Sequence, residues 1–171
     1  MFQNIQIDDN LPDIEEITFL PIQKNYLKLM LVKTTIIFSI IITCIIFITF
    51  PQIPVEYSDY NYLIILGVIT VYVIVLLIIF LAFKKKKYAI RQKDITFSRG
   101  ILIHTLTTIP FSRIQHIEID EGAFERPFKL ASITIYTAGD NGKDLKINGL
   151  NRNKAIQMKE LITNYLKDES E

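Results

Sequence analysis

Residues 62–87 read YLIILGVITVYVIVLLIIFLAFKKKK, and residues 30–50 read MLVKTTIIFSIIITCIIFITF. Each apolar run is about 21 or 22 residues long, so as a helix it would extend about 32 Å, enough to cross a hydrocarbon core of about 30 Å. Neither run contains an acidic residue, and their single charge, Lys33, lies one turn from an end, where its amine can reach the interface. The two runs predict a helical hairpin that crosses a membrane twice.

The charges that flank the hairpin predict its orientation. Residues 1–23 contain five acids and no base, whereas residues 24–33 contain three lysines. The connecting segment 51–61 has Glu56 and Asp59 but no Lys or Arg, and the second run ends in four lysines. Because basic residues beside a span stay in the cytoplasm, both termini are expected to be cytoplasmic. Tyrosines near the ends of the runs, among them Tyr26, are expected at the membrane borders.

The remainder of the chain is small and carries little covalent or redox chemistry. Of 171 residues with a formal net charge of +1, about 85 follow the lysines, enough for one soluble domain. The single cysteine, Cys44, lies inside the first apolar run, which excludes a disulfide framework and a cysteine-based metal site.

Beyond the lysines, the hydrophobic pattern changes to a period of two, which is typical of half-buried strands. Strands are predicted at 88–91, 95–98, 101–109, 113–120, 132–137 and 144–147. Residues 122–130 are expected to form a turn or short helix, and Asn141-Gly142 predicts a tight turn. Asn151 is a candidate N-cap for a C-terminal helix whose apolar stripe comprises Ala155, Met158, Ile162 and Tyr165.

Three blocks of this region carry a family resemblance. Residues 87–102 read KYAIRQKDITFSRGIL, residues 109–117 read IPFSRIQHI, and residues 130–139 read LASITIYTAG. Their order and spacing, together with the preceding hairpin, resemble the YdbS-like bacterial pleckstrin-homology family (bPH2, formerly DUF304). The resemblance implies a split barrel of two antiparallel sheets closed by a C-terminal helix. It also implies the inner membrane of a bacterium, but no known reaction.

The expected organisation therefore has four parts. A cytoplasmic arm (1–23) precedes the membrane hairpin (24–87, with spans at about 30–50 and 62–83). A PH-like β domain with its C-terminal helix follows (88–167), and the chain ends in a frayed tail (168–171).

The basic residues after the second span are the candidate contacts for anionic lipid headgroups: Lys84, Lys85, Lys86, Lys87, Arg91, Lys93 and Arg99. Such residues contribute roughly 1 kcal/mol each near an anionic surface. A cluster that only fixes topology is the alternative, since lysines at the end of a span are common.

The family blocks supply a second set of candidates: Pro110, Arg113, Gln115, His116 and Gly139. A structural role is favoured over ligand binding for this set. Arg113 and Gln115 share the parity of Ile117 and Ile119, which predicts that they are partly covered and hydrogen-bonded within the sheet.

The sequence offers no sign of catalysis. The serines and glycines form neither a nucleophile elbow nor a phosphate-binding loop. His104 and His116, expected on neighbouring strands, lack the further ligands of a zinc site. The basic cluster is not interleaved with aromatics as in nucleic-acid binders. No enzyme activity, metal, cofactor or nucleic-acid partner is expected.

Two functions remain open. The first is a membrane-tethered, non-catalytic module that assembles with a paralogous membrane protein or with copies of itself. The absence of catalytic residues, together with a strand-rich domain held close to the bilayer, favours this function. The alternative is binding or sensing of anionic membrane lipid by the domain.

Overall fold

The computed structural model of the protein describes residues 17–49, 58–138 and 144–168. Within them, two long helices precede two antiparallel sheets and a terminal helix. The elements are β1 (Leu20–Pro21), α1 (Lys24–Thr49), α2 (Ser58–Lys85), β2 (Lys87–Ile90), β3 (Asp94–Arg99), β4 (Thr105–Pro110), β5 (Ile114–Asp120), β6 (Leu130–Thr137), β7 (Leu145–Asn151) and α3 (Arg152–Asp168), with 3₁₀ turns at Phe111–Arg113 and Arg126–Phe128.

Helices α1 and α2 form the predicted antiparallel hairpin. They contain 26 and 28 residues. The Thr35 and Tyr72 hydroxyls lie 2.8 Å apart, and the Tyr72 ring lies 5.0 Å from that of Phe38. The apolar windows of both helices are unburied, and both helices are long and apolar enough to span a membrane. Their surface of exposed isoleucine, leucine and valine needs an apolar environment.

The first turns of α1 pack into the core of the β domain. Ile22, Tyr26 and Leu29 are buried in the same core as the strands, and β1 adds a short strand beside β2. Tyr26 is therefore covered by the domain, which the sequence did not predict. The backbone also joins the two parts, since Gln23 N–H donates to the Gly149 carbonyl of β7 at 3.1 Å.

Gly149 makes this close approach possible. Its φ of 79° is in the left-handed region, which side chains with a Cβ rarely adopt. A Cβ at this position would also lie 2.7 Å from Ile22 Cγ2 and would overlap the Tyr26 ring. The glycine therefore lets the start of α1 lie directly against β7.

The seven strands form one sheet in the order β1-β2-β3-β4 and a second in the order β5-β6-β7. This arrangement with the terminal helix confirms the predicted fold class. One strand prediction is wrong: residues 101–103 form bends, and β4 begins only at Thr105. The predicted turn at Asn141-Gly142 lies outside the described residues.

The core lies between the sheets and α3. Ile133 and Ile135 of β6 are fully buried, and they pair across the sheet with the half-buried Ile119 and Ile117. The predicted stripe of α3 packs on this core, and Ala155, Met158 and Ile162 are buried. The Asn151 side chain accepts a hydrogen bond from Asn153 N–H at 3.0 Å, which confirms the predicted N-cap.

Candidate functional site

The basic cluster begins at the junction of α2 and β2, where one residue separates the helix from the strand. The Lys84 ammonium lies 4.4 Å from the centre of the Phe80 ring, and that of Lys86 lies 5.2 Å from the Tyr26 ring. Lys86 is half-buried, whereas Lys84, Lys85 and Lys87 are exposed. These lysines therefore surround the point at which the hairpin enters the domain.

The β2–β3 hairpin separates the remaining bases into two groups. Because β2 pairs antiparallel with β3, and Lys87 lies opposite Ser98, Arg99 returns to the end of α2. Arg91 and Lys93 lie at the opposite end of the same hairpin, and Arg91 is about 16 Å from Lys86 along β2 at about 3.3 Å per residue.

The two groups differ in their partners. Arg91 donates two hydrogen bonds to the Asp94 carboxylate, both at 2.7 Å. At the other end, burial and then the positive charge of Arg99 lower the pKa of Lys86 below its usual 10.5. Two cations held together in a partly desolvated position favour an anion between them. Lys86 and Arg99 therefore form one cationic group beside the end of α2, whereas the charge of Arg91 is paired with Asp94.

The family-block residues occupy the turn between the sheets. Pro110 ends the edge strand β4, where its lack of an N–H removes no hydrogen bond between strands. The next residue, Phe111, is fully buried. Phe111 N–H donates to the Lys93 carbonyl at 2.9 Å. The Arg113 carbonyl accepts from Ala138 N–H at 3.1 Å, so its backbone ties β5 to β6. Gly139 lies outside the described residues.

The predicted cover over Arg113 and Gln115 is wrong, because both side chains are exposed. The register of β5 shifts between Ile114 and His116, so one extra residue changes the parity of the strand. Ile114, buried at 6% exposure, takes the inward position instead. The backbone of this segment is structural, while the Arg113 and Gln115 side chains face solvent.

The two histidines are not on neighbouring strands, contrary to the prediction. His104 precedes β4 in one sheet, and its Nε2 lies 2.9 Å from the Ser98 hydroxyl. His116 is in the other sheet, stacked on the Tyr136 ring with the centroids 4.1 Å apart. The described residues contain no group of three or more His, Cys, Asp or Glu side chains that could hold a metal ion.

His116 belongs to an exposed polar cluster on β5 and β6. The Tyr136 hydroxyl donates to the Glu118 carboxylate at 2.9 Å, and this hydrogen bond raises the pKa of Tyr136. Glu118 also lies 3.7 Å from His116 Nε2. The cluster is a fixed polar patch beside the outer edge of β5, with no nucleophile poised by a base.

Two surfaces were not foreseen from the sequence. A cleft of about 490 Å³ separates α1 from the outer face of the second sheet, with Lys33 and Met30 on one wall and Asp120 and Lys146 on the other. A second, of about 640 Å³, separates the end of α2 from residues 100–103. The sequence signal for the second cleft was the run of three apolar residues after Gly100. A run of this composition is also compatible with a strand.

The sequence matches the model of the bacterial PH domain over residues 29–166, which is most of the chain. The chain belongs to the bacterial PH-domain family. A solved structure from Shewanella loihica PV-4, a DUF1696 family protein with a pleckstrin-homology domain, is similar at 13% sequence identity and a TM-score of 0.36. That alignment covers 46% of this chain and 68% of the other. No curated protein matches the sequence significantly.

The family match begins inside α1 and includes all of α2. The hairpin is therefore part of what this bacterial PH domain shares with its family, as the resemblance of the three sequence blocks implied.

Proposed function

We propose that this bacterial PH domain is a non-catalytic assembly module, tethered at the cytoplasmic face of the inner membrane, that binds a paralogous membrane protein or a second copy of itself. The observation that carries the proposal is the rigid junction between hairpin and domain. Ile22, Tyr26 and Leu29 lie in the domain core, and a single residue separates α2 from β2. A domain without a flexible tether keeps one height and one orientation, which suits an interface with another membrane protein.

The outer edge of β5 is the surface we assign to the partner. Within the described residues β5 pairs with β6 alone, so its other edge has main-chain groups available for an added strand. The polar cluster of His116, Glu118 and Tyr136 lies beside this edge and would confer specificity, since its members already hold each other in place.

Photo-crosslinking in native membranes tests the assembly. A photoreactive amino acid replaces Gln115, which is exposed on β5, and the matched control replaces Gln157, which is exposed on α3. Two differently tagged copies of the full chain report self-association, and mass spectrometry of the adducts reports a paralogue with the same family blocks. We expect adducts from position 115 only. No adduct from position 115, or equal adducts from both positions, would contradict the proposed edge.

The topology has its own test. Reporter fusions at Tyr57 and after Glu171 should show an external loop and a cytoplasmic C-terminus, because the lysines lie on the other side of the hairpin from Glu56 and Asp59. A cytoplasmic signal at Tyr57 would overturn the orientation.

Anionic lipid binding is the second candidate function, favoured by the proximity of Lys86 and Arg99. The full chain is needed for its test, because a fragment beginning at Tyr88 would lack Ile22, Tyr26 and Leu29 from its core. In nanodiscs, phosphatidylglycerol should raise the melting temperature of the wild-type protein relative to phosphatidylcholine. The gain should shrink in Arg99→Gln and persist in the control, Lys93→Gln. Equal gains in both variants would exclude a specific site at Arg99.

A further inference from the structure

The loop between β3 and β4 exposes three consecutive apolar side chains. Ile101, Leu102 and Ile103 have 40%, 97% and 80% of their surfaces exposed. Gly100 sets the shape of this loop with a φ of 115°, and a Cβ there would collide with the Ile103 carbonyl. The loop is therefore built to project these side chains and not to fold them back onto the sheet. In water, such a projection would be unfavourable.

The loop lies beside the last turns of α2. The cleft between them has Ile78, Leu81 and Ala82 on the helix side and the three loop residues on the other. Lys86, Arg99 and Thr105 also line the cleft, so its polar side chains are two cations and one hydroxyl. This combination of an apolar surface and adjacent cations matches the boundary between acyl chains and anionic headgroups.

The length of α2 fixes the depth of the loop. The apolar run from Tyr62 to Phe83 is about 33 Å long as a helix, close to the hydrocarbon thickness of about 30 Å. If the loop were in water, Ile78, which lies across the cleft from it, would be in water too. The part of the apolar run left to cross the membrane would then end at Leu77. That run is about 24 Å long, about 6 Å too short. If the apolar run of α2 spans the full hydrocarbon thickness, the loop therefore lies deeper in the membrane than the headgroups.

A second apolar tip is found beside α1. Phe124 has 61% of its surface exposed, and the Lys33 ammonium lies 5.4 Å from the centre of its ring. Lys33 is within the apolar run of α1, so Phe124 also reaches the level of the hairpin's inner end.

We infer that the loop of Ile101, Leu102 and Ile103 is embedded among the acyl chains of the cytoplasmic leaflet, as a wedge beside α2. The inference rests on the proposed membrane tether and adds to it a second point of insertion. With the hairpin as one anchor and the wedge as another, the protein resists tilting in the bilayer. The partner surface on β5 then keeps one height and one tilt relative to the membrane plane.

Tryptophan fluorescence measures the depth of the loop directly, because the natural sequence contains no tryptophan. The full chain carrying Leu102→Trp is reconstituted in vesicles of phosphatidylethanolamine and phosphatidylglycerol. Brominated acyl chains quench a tryptophan inside the leaflet, and aqueous iodide quenches one outside. Ile103→Trp is the second loop variant, in case one substitution disturbs the fold.

Two controls separate the outcomes. Leu161→Trp makes the same substitution at an exposed position of α3, beside Arg91 and Gln92 at the far end of the β2–β3 hairpin. Val73→Trp reports whether α2 itself is in the bilayer.

We expect bromolipid quenching of both loop variants to exceed that of Leu161→Trp at least about threefold, with iodide quenching reduced by a similar factor. Quenching of Val73→Trp by bromolipid without quenching of either loop variant would overturn the wedge and leave the tether intact. Iodide quenching of Val73→Trp would overturn the tether, and the wedge with it.

Discussion

The substitution Gly149→Ala tests the rigid junction on which the proposed function depends. The added methyl group must fit at a φ of 79°, 2.7 Å from Ile22 Cγ2 and against the Tyr26 ring. An L-residue in the left-handed region costs about 1–2 kcal/mol. Forcing extra atoms into a packed core adds about 1–3 kcal/mol, since the first turn of α1 has to move. We therefore expect the free energy of unfolding to fall by about 2–5 kcal/mol.

The assay is a guanidinium titration of the full chain in mild detergent, followed by the near-ultraviolet circular dichroism of the tyrosines. Gly67→Ala in α2 is the matched control, because nothing lies within 4 Å of the Cβ it would add. Gly149→Asn separates the two causes, since asparagine tolerates the left-handed region but still collides with Tyr26. Proteolysis near Gln23 should accelerate in both Gly149 variants if the junction opens.

A small effect of Gly149→Ala would contradict this packing. If the free energy of unfolding of Gly149→Ala were within about 0.5 kcal/mol of that of the wild-type protein, the start of α1 would not be packed against β7 as described. The assembly proposal would then lose its supporting observation, because the domain could swing on the hairpin.

Three further outcomes follow from the core and from the junction. Ile133→Ala should cost about 2–5 kcal/mol in the same titration, and Ile119→Ala less, because Ile119 is half-buried while Ile133 is fully enclosed. Glu118→Gln, on the opposite face, should change stability by less than about 0.5 kcal/mol, and a larger loss than for Ile133→Ala would mean that β5 is misplaced. The pKa of Lys86 is lowered in the folded state, so between that pKa and 10.5 the unfolded chain binds more protons than the folded one. The free energy of unfolding should therefore rise with pH across this window. Lys86→Met should remove that rise, and an unchanged pH dependence in this variant would show that another group causes it.

Much of the architecture follows from local patterns in the sequence. The two apolar runs predict α1 and α2 because a membrane-crossing helix must satisfy its backbone internally over a fixed length. The stripe from Ala155 to Ile162 and the cap at Asn151 predict α3 for similarly local reasons. Alternation predicts that Ile117 and Ile119 share a face, and the register with β6 confirms it.

The candidate surfaces could not be predicted in the same way. The exposure of Arg113 and Gln115 depends on a bulge in β5, and a bulge is decided by pairing with a strand about twenty residues away. The partnership of Lys86 with Arg99, and the separation of both from Arg91, come from the antiparallel register of β2 and β3. A run of seven bases reads as one cluster until that register is known.

Local patterns are enough to predict the hairpin, the class of the sheet domain and the terminal helix, because each depends on periodicity within one segment. The burial of Tyr26 in the domain core, and the space that Gly149 leaves for it, are seen only in the folded protein. Tertiary structure also decided that residues 101–103 form a projecting loop, although their composition fits a strand equally well. The physical reason is common to these cases: burial depends on which distant segment lies opposite a residue, and that contact is absent from the local pattern.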